Sequence, residues 1–130
     1  MPMDWYVLVT SSNLEHRRSL MRILEELPLN VISVSTLEQA EEVLSRQPIR
    51  LVFCDRRLPD GSYRDLLEHA GSWRHASRVV VTSETSDTVD QLEAAEWGAS
   101  GIVRYPFHAT DVELLILRAA REVNQEVTRA

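Results

Sequence analysis

The stretch Leu51-Val52-Phe53-Cys54-Asp55-Arg56-Arg57-Leu58-Pro59-Asp60-Gly61-Ser62 decides the fold. Its opening run is apolar without a break, the composition of a strand covered on both faces of a sheet. The run ends at a carboxylate, Asp55, and residues 56–62 form the loop that follows. Asp55 therefore stands at the carboxyl end of a buried strand. In parallel α/β sheets that end is where ligands and reacting groups collect, at a switch in strand order.

Working outward, similar apolar runs recur at residues 5–9, 31–34, 79–81 and 102–103. Amphipathic stretches separate them. Leu14, Leu20, Met21, Leu24 and Leu27 make one apolar face, and Leu37, Ala40, Val43 and Leu44 a second. Tyr63, Leu66, Leu67 and Ala70 mark a third, Val89, Leu92, Ala95 and Trp97 a fourth, and Val112, Leu115, Ile116 and Ala119 a fifth. Ser35-x-x-Glu38 and Thr110-x-x-Glu113 fit capping boxes, in which hydroxyl and glutamate each satisfy an orphan backbone N–H. Strand and helix alternate five times, which predicts an α/β fold: a doubly wound five-stranded parallel sheet flanked by five helices. The strand-end segments to weigh are then 10–13, 35, 55–61, 82–85 and 104–107.

Composition narrows the function. The 130 residues suit one domain, read here as residues 1–120 with a C-terminal helix extension or tail over 121–130. Ile116, Ala120, Val123 and Val127 are spaced four, three and four, so the last helix either continues as a coiled-coil-like seam or ends in a polar tail. A formal net charge of −6 argues against nucleic-acid binding. One cysteine makes no internal disulfide and no multi-thiolate zinc site, so a reducing compartment is expected. Met1-Pro2-Met3-Asp4-Trp5 begins neither a signal peptide nor a membrane span, and the expected location is cytoplasmic.

All 14 basic residues are arginine. That excludes a Schiff-base lysine, a phosphate-loop lysine and a lysine general base. A GC-rich codon bias explains arginine in place of lysine. The informative position is one where a lysine would matter and arginine does not stand.

The loop opened by Asp55 resembles the phosphoacceptor loop of response-regulator receiver domains: apolar strand, Asp, two variable residues, then Leu/Met-Pro-x-Gly. The segment Ala94-Ala95-Glu96-Trp97-Gly98-Ala99-Ser100-Gly101-Ile102-Val103-Arg104-Tyr105-Pro106-Phe107 is similar to the family's last-strand signature. The resemblance, to chemotaxis-regulator-like receivers, covers residues 5–120. It implies the flavodoxin-like receiver fold and a bacterial two-component signalling module that is not an enzyme. In that family the aspartate takes a phosphoryl group with the help of a magnesium ion and a lysine. The phosphoryl group brings about −2 charge next to a carboxylate, and those cations offset the repulsion.

Carried over residue by residue, the resemblance makes Asp55 the phosphoacceptor position and Thr82 the family hydroxyl. The acidic pair that would hold magnesium falls on Ser11 and Ser12. Magnesium wants hard, charged oxygen donors, so the expectation is no metal site, or a weak one at Asp55. The lysine position holds Tyr105, which codon bias does not explain, and the aromatic switch position holds Ile102. Arg56, Arg57 and Arg104 are candidate internal cations that would stand where the metal would be. Glu84 would alternatively pair with Arg57.

Other candidates are weaker. His16, His69, His75 and His108 have no metal-ligand spacing and read as surface or capping residues. Cys54 reads as a small core residue. Gly98-Ala99-Ser100-Gly101 lacks the second glycine of a nucleophile elbow at its place, where Ile102 stands. Trp97 reads equally as helix-end packing or as an interface anchor. Arg17, Arg18 and Arg22 read as a solvated face balanced by Glu15, Glu25 and Glu26. The expectation is an atypical receiver acting by protein–protein contact, as a homodimer through the fourth helix, last strand and last helix, or with a histidine kinase or output domain. One alternative keeps phosphorylation on Asp55. Another is a small-ligand sensor using the vacated acidic pocket, where Ser11, Ser12, Thr82 and Tyr105 offer hydroxyls.

Overall fold

A computed structural model describes residues 5–85 and 87–129, with side chains described as far as Glu122. In chain order the elements are β1 (Tyr6–Thr10), α1 (Leu14–Glu25), β2 (Asn30–Val34), α2 (Leu37–Arg46), β3 (Ile49–Asp55), β4 (Arg57–Leu58) and β5 (Gly61–Ser62). There follow α3 (Tyr63–Glu68), a turn of 3₁₀ helix at Ala70–Ser72, β6 (Arg78–Ser83), α4 (Thr88–Glu96), β7 (Gly101–Arg104) and α5 (Ala109–Arg129). Five strands pair in parallel in the order β2-β1-β3-β6-β7, the doubly wound sheet that the alternation predicts. The short antiparallel hairpin β4–β5 is additional, built from the loop after Asp55.

The direction in which strands are added to the sheet reverses after β2, so helices cover both faces. Leu20 and Leu24 of α1 and Val112 and Ile116 of α5 pack with Val7, Val9, Leu51 and Phe53 on one face. Leu37, Ala40 and Leu44 of α2, Leu66 of α3 and Ala94 of α4 pack with Leu8, Val52 and Cys54 on the other. Alternate residues of β3 serve the two cores, which is why the run 51–54 has no polar position. Each side chain of this size contributes roughly 1.5–3 kcal/mol by burial. The switch in strand order falls between β1 and β3, and Asp55 ends one of those strands.

Three local expectations are corrected. The N-cap of α2 is Thr36, not Ser35: Thr36 Oγ1 accepts from Gln39 N at 3.2 Å, and Gln39 takes the Ser35 N–H at 3.0 Å. The next N–H groups, of Leu37 and Glu38, donate to Asp60 at 2.7 and 3.0 Å, so a carboxylate from the hairpin turn replaces the box. Helix α5 begins before Thr110, with Val112 N donating to the His108 carbonyl at 3.2 Å.

The third correction concerns α4. Val89 and Leu92 are 68% and 61% exposed, and the helix buries Ala94 instead. Asp90 and Glu93 lie partly inward because arginines meet them there: Arg56 bonds Asp90, and Arg64 pairs with Glu93. Gly98, at φ 99°, ends this helix, with Ala99 N and Gly98 N donating to the carbonyls of Ala94 and Ala95. Gly61 answers a different need, because a Cβ there would lie 2.6 Å from a Leu37 methyl.

Helix α5 runs unbroken to Arg129. The seam expected at Val123 and Val127 lies outside the described side chains. Among the described residues no helix is long and apolar enough to cross a membrane.

Candidate functional site

Asp55 lies opposite Thr82 in the β3–β6 register, and Ser11 follows directly on β1, so three adjacent strands deliver these side chains to one edge. Asp55 Oδ1 accepts from Thr82 Oγ1 at 2.7 Å. Its Oδ2 accepts from Ser11 Oγ at 2.8 Å and from Ser12 N at 3.2 Å. Ser11 and Thr82 are 3% and 5% exposed. The carboxylate thus spends both oxygens on neutral donors of its own chain. Ser12 joins through its backbone, not its hydroxyl.

Arg17, read from sequence as part of a solvated face, belongs here. Its Nη1 donates to the Ser11 carbonyl at 3.1 Å, and it lines the same small space as Ser11, Asp55, Thr82 and Phe107. That space has no room for a water molecule. His16 is likewise not a surface residue. Its side chain is 11% exposed, its ring stacks on Tyr105 at 4.0 Å, and Nε2 lies 3.2 Å from Glu84 Oε1. Phe107 meets both rings edge-on.

Tyr105 turns away from Asp55. Its hydroxyl donates to Glu15 Oε1 at 2.9 Å, and that carboxylate pushes the phenol above its ordinary pKa. The hydroxyl is therefore neutral and already committed.

The candidate internal cations go elsewhere. Arg56 Nη2 reaches Asp90 Oδ1 at 2.7 Å, Arg57 lies exposed on β4, and Arg104 is exposed on β7. Glu84 pairs with His16, not with Arg57. The physical reason is strand alternation: the residue after Asp55 leaves the sheet edge toward α4, and its partner is already there. A signal for Arg17 did exist, since it stands four residues past the helix N-cap Asn13, directly after the serine pair.

Donor chemistry decides against the family's magnesium ion. One carboxylate, two hydroxyls and a backbone N–H face the site, and a divalent cation needs several charged or carbonyl oxygens. Among the described residues no three His, Cys, Asp or Glu side chains converge. The residues present do not fit that ion.

Ile102 is half-buried against the core on the α2–α4 face. Trp97 caps the C-terminus of α4 and is 39% exposed, with the Arg64 guanidinium 5.3 Å from its ring centre. Cys54 is fully buried, and burial together with the Asp55 charge pushes its thiol far above the ordinary range. It is not a nucleophile.

An aspartate at the end of the third sheet strand, a hydroxyl across from it and the strand order 2-1-3 at the switch are receiver features. Residues 7–117 match the response regulator receiver domain family. The chain belongs to that family. This receiver is 30% identical over 115 residues to the response regulator protein PilR of Pseudomonas aeruginosa, matching 87% of this chain and 26% of PilR. It is 29% identical over 100 residues to the hydrogenase transcriptional regulatory protein HoxA of Cupriavidus necator, matching 76% of this chain and 20% of HoxA. The chain thus spans about a quarter or less of these relatives. Among solved structures, the signal receiver domain of an HD domain-containing protein from Pseudomonas fluorescens Pf-5 superposes with a TM-score of 0.86 at 18% identity, covering 100% of this chain and 96% of that one. A CheY-like receiver domain protein from Methanospirillum hungatei JF-1 gives 0.82 at 20% identity, covering 94% and 98%. At such identities the structural likeness speaks for the fold.

Proposed function

We propose that this receiver works by protein–protein contact and is not driven by magnesium-dependent phosphorylation of Asp55. The observation that carries this is the state of the carboxylate, held by Ser11, Ser12 N and Thr82, with hydroxyls at the positions of the family's acidic pair. A phosphoryl group arriving there would have to break those bonds. Its added charge would meet neither a metal-binding acidic pair nor a lysine. The guanidinium of Arg17 faces the Ser11 carbonyl from the neighbouring helix, a fixed positive group in place of a mobile ion.

The partner surface lies on the two helices that flank the sheet's edge strand β7. Val89 and Leu92 of α4 and Leu114 and Leu117 of α5 are all more than half exposed. Each pair is spaced by three, so each helix shows an apolar strip to solvent. A second copy of this chain supplies the matching strip, as a symmetric dimer uses one patch twice. The relatives are several times longer than this chain, so an output domain in a longer protein is the natural recipient of the signal. A reducing cytoplasm suits the buried thiol of Cys54.

The test is a magnesium titration with beryllofluoride, or with a small phosphodonor, followed by NMR. The expected result is no saturable change at the backbone of Asp55, Thr82 or α4 at millimolar magnesium. Saturable changes that vanish in Asp55→Asn would overturn the reading and restore an Asp55-phosphorylated receiver. Replacing Ser11 and Ser12 by Asp and Tyr105 by Lys tests the cause. Phosphorylation gained in that triple variant assigns the silence to the lost ligands.

A further inference from the structure

We propose that the cavity between the β4–β5 hairpin, α3 and α4 binds a small organic phosphate. It has a volume of about 420 Å³ and is lined by Arg56, Arg57 and Arg64, with Ser62, Tyr63 and Glu93 among its walls. It does not include Asp55 and shares no lining residue with the small space around that carboxylate.

The charge at this cavity opposes that of the chain. The protein carries a formal −6, while three arginines and one carboxylate, Glu93, line this cavity. Counting Asp90, which Arg56 reaches from behind, cations still outnumber carboxylates three to two. Two of the arginines are held in place. Arg56 is fixed by Asp90 at 2.7 Å. Arg64 pairs with Glu93 and lies over the rings of Tyr63 and Trp97, at 5.9 and 5.3 Å from their centres. A guanidinium has five N–H donors, so these contacts leave donors free to face the cavity.

Arg57 is the third member. It projects from the exposed strand β4, and its side chain has no hydrogen bond or ion pair among the described residues. An unpaired fork beside two oriented ones is an arrangement for an anion with several oxygens, because guanidinium and phosphate match in bidentate geometry. The volume exceeds what a bare phosphate needs and falls in the range of small-molecule sites. Leu58 and Tyr63 are also among its walls and offer apolar surface to the organic part, and the Trp97 ring, 5.3 Å from the Arg64 guanidinium, reports on that arginine.

The experiment titrates the full chain with pyrophosphate and with glucose 6-phosphate, with glucose as the control. Calorimetry and Trp97 fluorescence are read against Trp97→Phe, which removes that signal and leaves Trp5 and Trp73. Saturable binding of the phosphates and none of glucose is expected. Arg57→Ala should weaken binding about tenfold or more, the scale of one lost charge-assisted contact, and Arg57→Lys should weaken it less. The exposed Arg57 side chain has no hydrogen bond or ion pair among the described residues, and its β4–β5 pairing is through the backbone, so this variant keeps the fold. Glu93→Gln removes the lining carboxylate and should tighten binding, a change of opposite sign. Asp55→Asn should leave binding unchanged. Absence of saturation at ten-millimolar phosphate, or binding indifferent to Arg57→Ala, overturns the proposal. Binding of an acidic peptide with no binding of either phosphate overturns it too and reassigns the arginines to protein docking.

Discussion

The mouth of Asp55 and the outer surface of α4 are joined by one ion pair, Arg56 to Asp90, and they are built in opposite ways. At the mouth the buried hydroxyls of Ser11 and Thr82 each bond the half-buried Asp55 carboxylate, and the small space they line has no room for water. On α4 the apolar groups face solvent, while Asp90 and Glu93 sit partly inward against arginines. The difference separates two jobs that a receiver ordinarily links. On the reading proposed above, the carboxylate held by its own chain acts as a structural group and the uncovered apolar strip as a binding surface.

The sharpest way to break this comparison is Ser11→Asp. It puts a second carboxylate, unpaired, at a position 3% exposed and in contact with Asp55. A loss of about 3 kcal/mol is expected, the scale of an uncompensated buried charge, measured by urea unfolding. Magnesium at millimolar levels should restore part of it, because the two carboxylates together recreate a divalent site. Indifference to the substitution would mean that the mouth is open to water after all. Thr82→Val is the next largest. It removes the 2.7 Å donor to Asp55 Oδ1 while keeping the volume, and should cost about 2 kcal/mol, the range for a hydrogen bond to a charged group.

The two regions also differ in how much of them could be read from the chain. The run 51–54 has no polar residue, so burial on both faces and the position of Asp55 followed from composition alone. Strand alternation brought segments 10–13 and 82–85 to the same edge, and the resemblance to receivers singled out Ser11 and Thr82 within them. Arg17 and His16 were not, because their reach depends on how α1 is rotated on the sheet, and the apolar pattern of that helix leaves both at its margin. Helix α4 misled for a different cause. Val89 and Leu92 have the spacing of a buried face, but hydropathy counts Asp90 and Glu93 as solvent groups. Arg56 and Arg64, distant in sequence, make them fit to face inward. The hairpin β4–β5 was hidden because each strand has only two residues.

A smaller effect is expected on the exposed side. Leu92→Gln combined with Leu117→Gln should change monomer stability by no more than about 0.5 kcal/mol, as both side chains are more than half exposed. Self-association in analytical ultracentrifugation should fall all the same. Stability lost without any change in association would reverse the assignment of the two regions.

The smallest effects are set by pH, in two exposed contacts of opposite sign. His69 bonds Glu41 across α2 and α3, and that hydrogen bond, with the charges of Glu41, Glu68 and Asp65, raises its pKa above 6.5. A raised pKa means that the folded state holds the proton more tightly. The contribution is complete below pH 6.5 and fades as pH climbs through the raised value. Asp60 behaves in reverse. The N–H groups of Glu38 and Leu37 hold its carboxyl below 3.8, so its contribution is present above that pH and fades as acid protonates it. Against wild type, His69→Gln should therefore lower the urea midpoint in mild acid and converge with it in alkali. Asp60→Asn should lower the midpoint at neutral pH and converge only in strong acid. Neither contact touches Asp55, so both substitutions should leave the hydrogen bonds of Ser11 and Thr82 to that carboxylate in place.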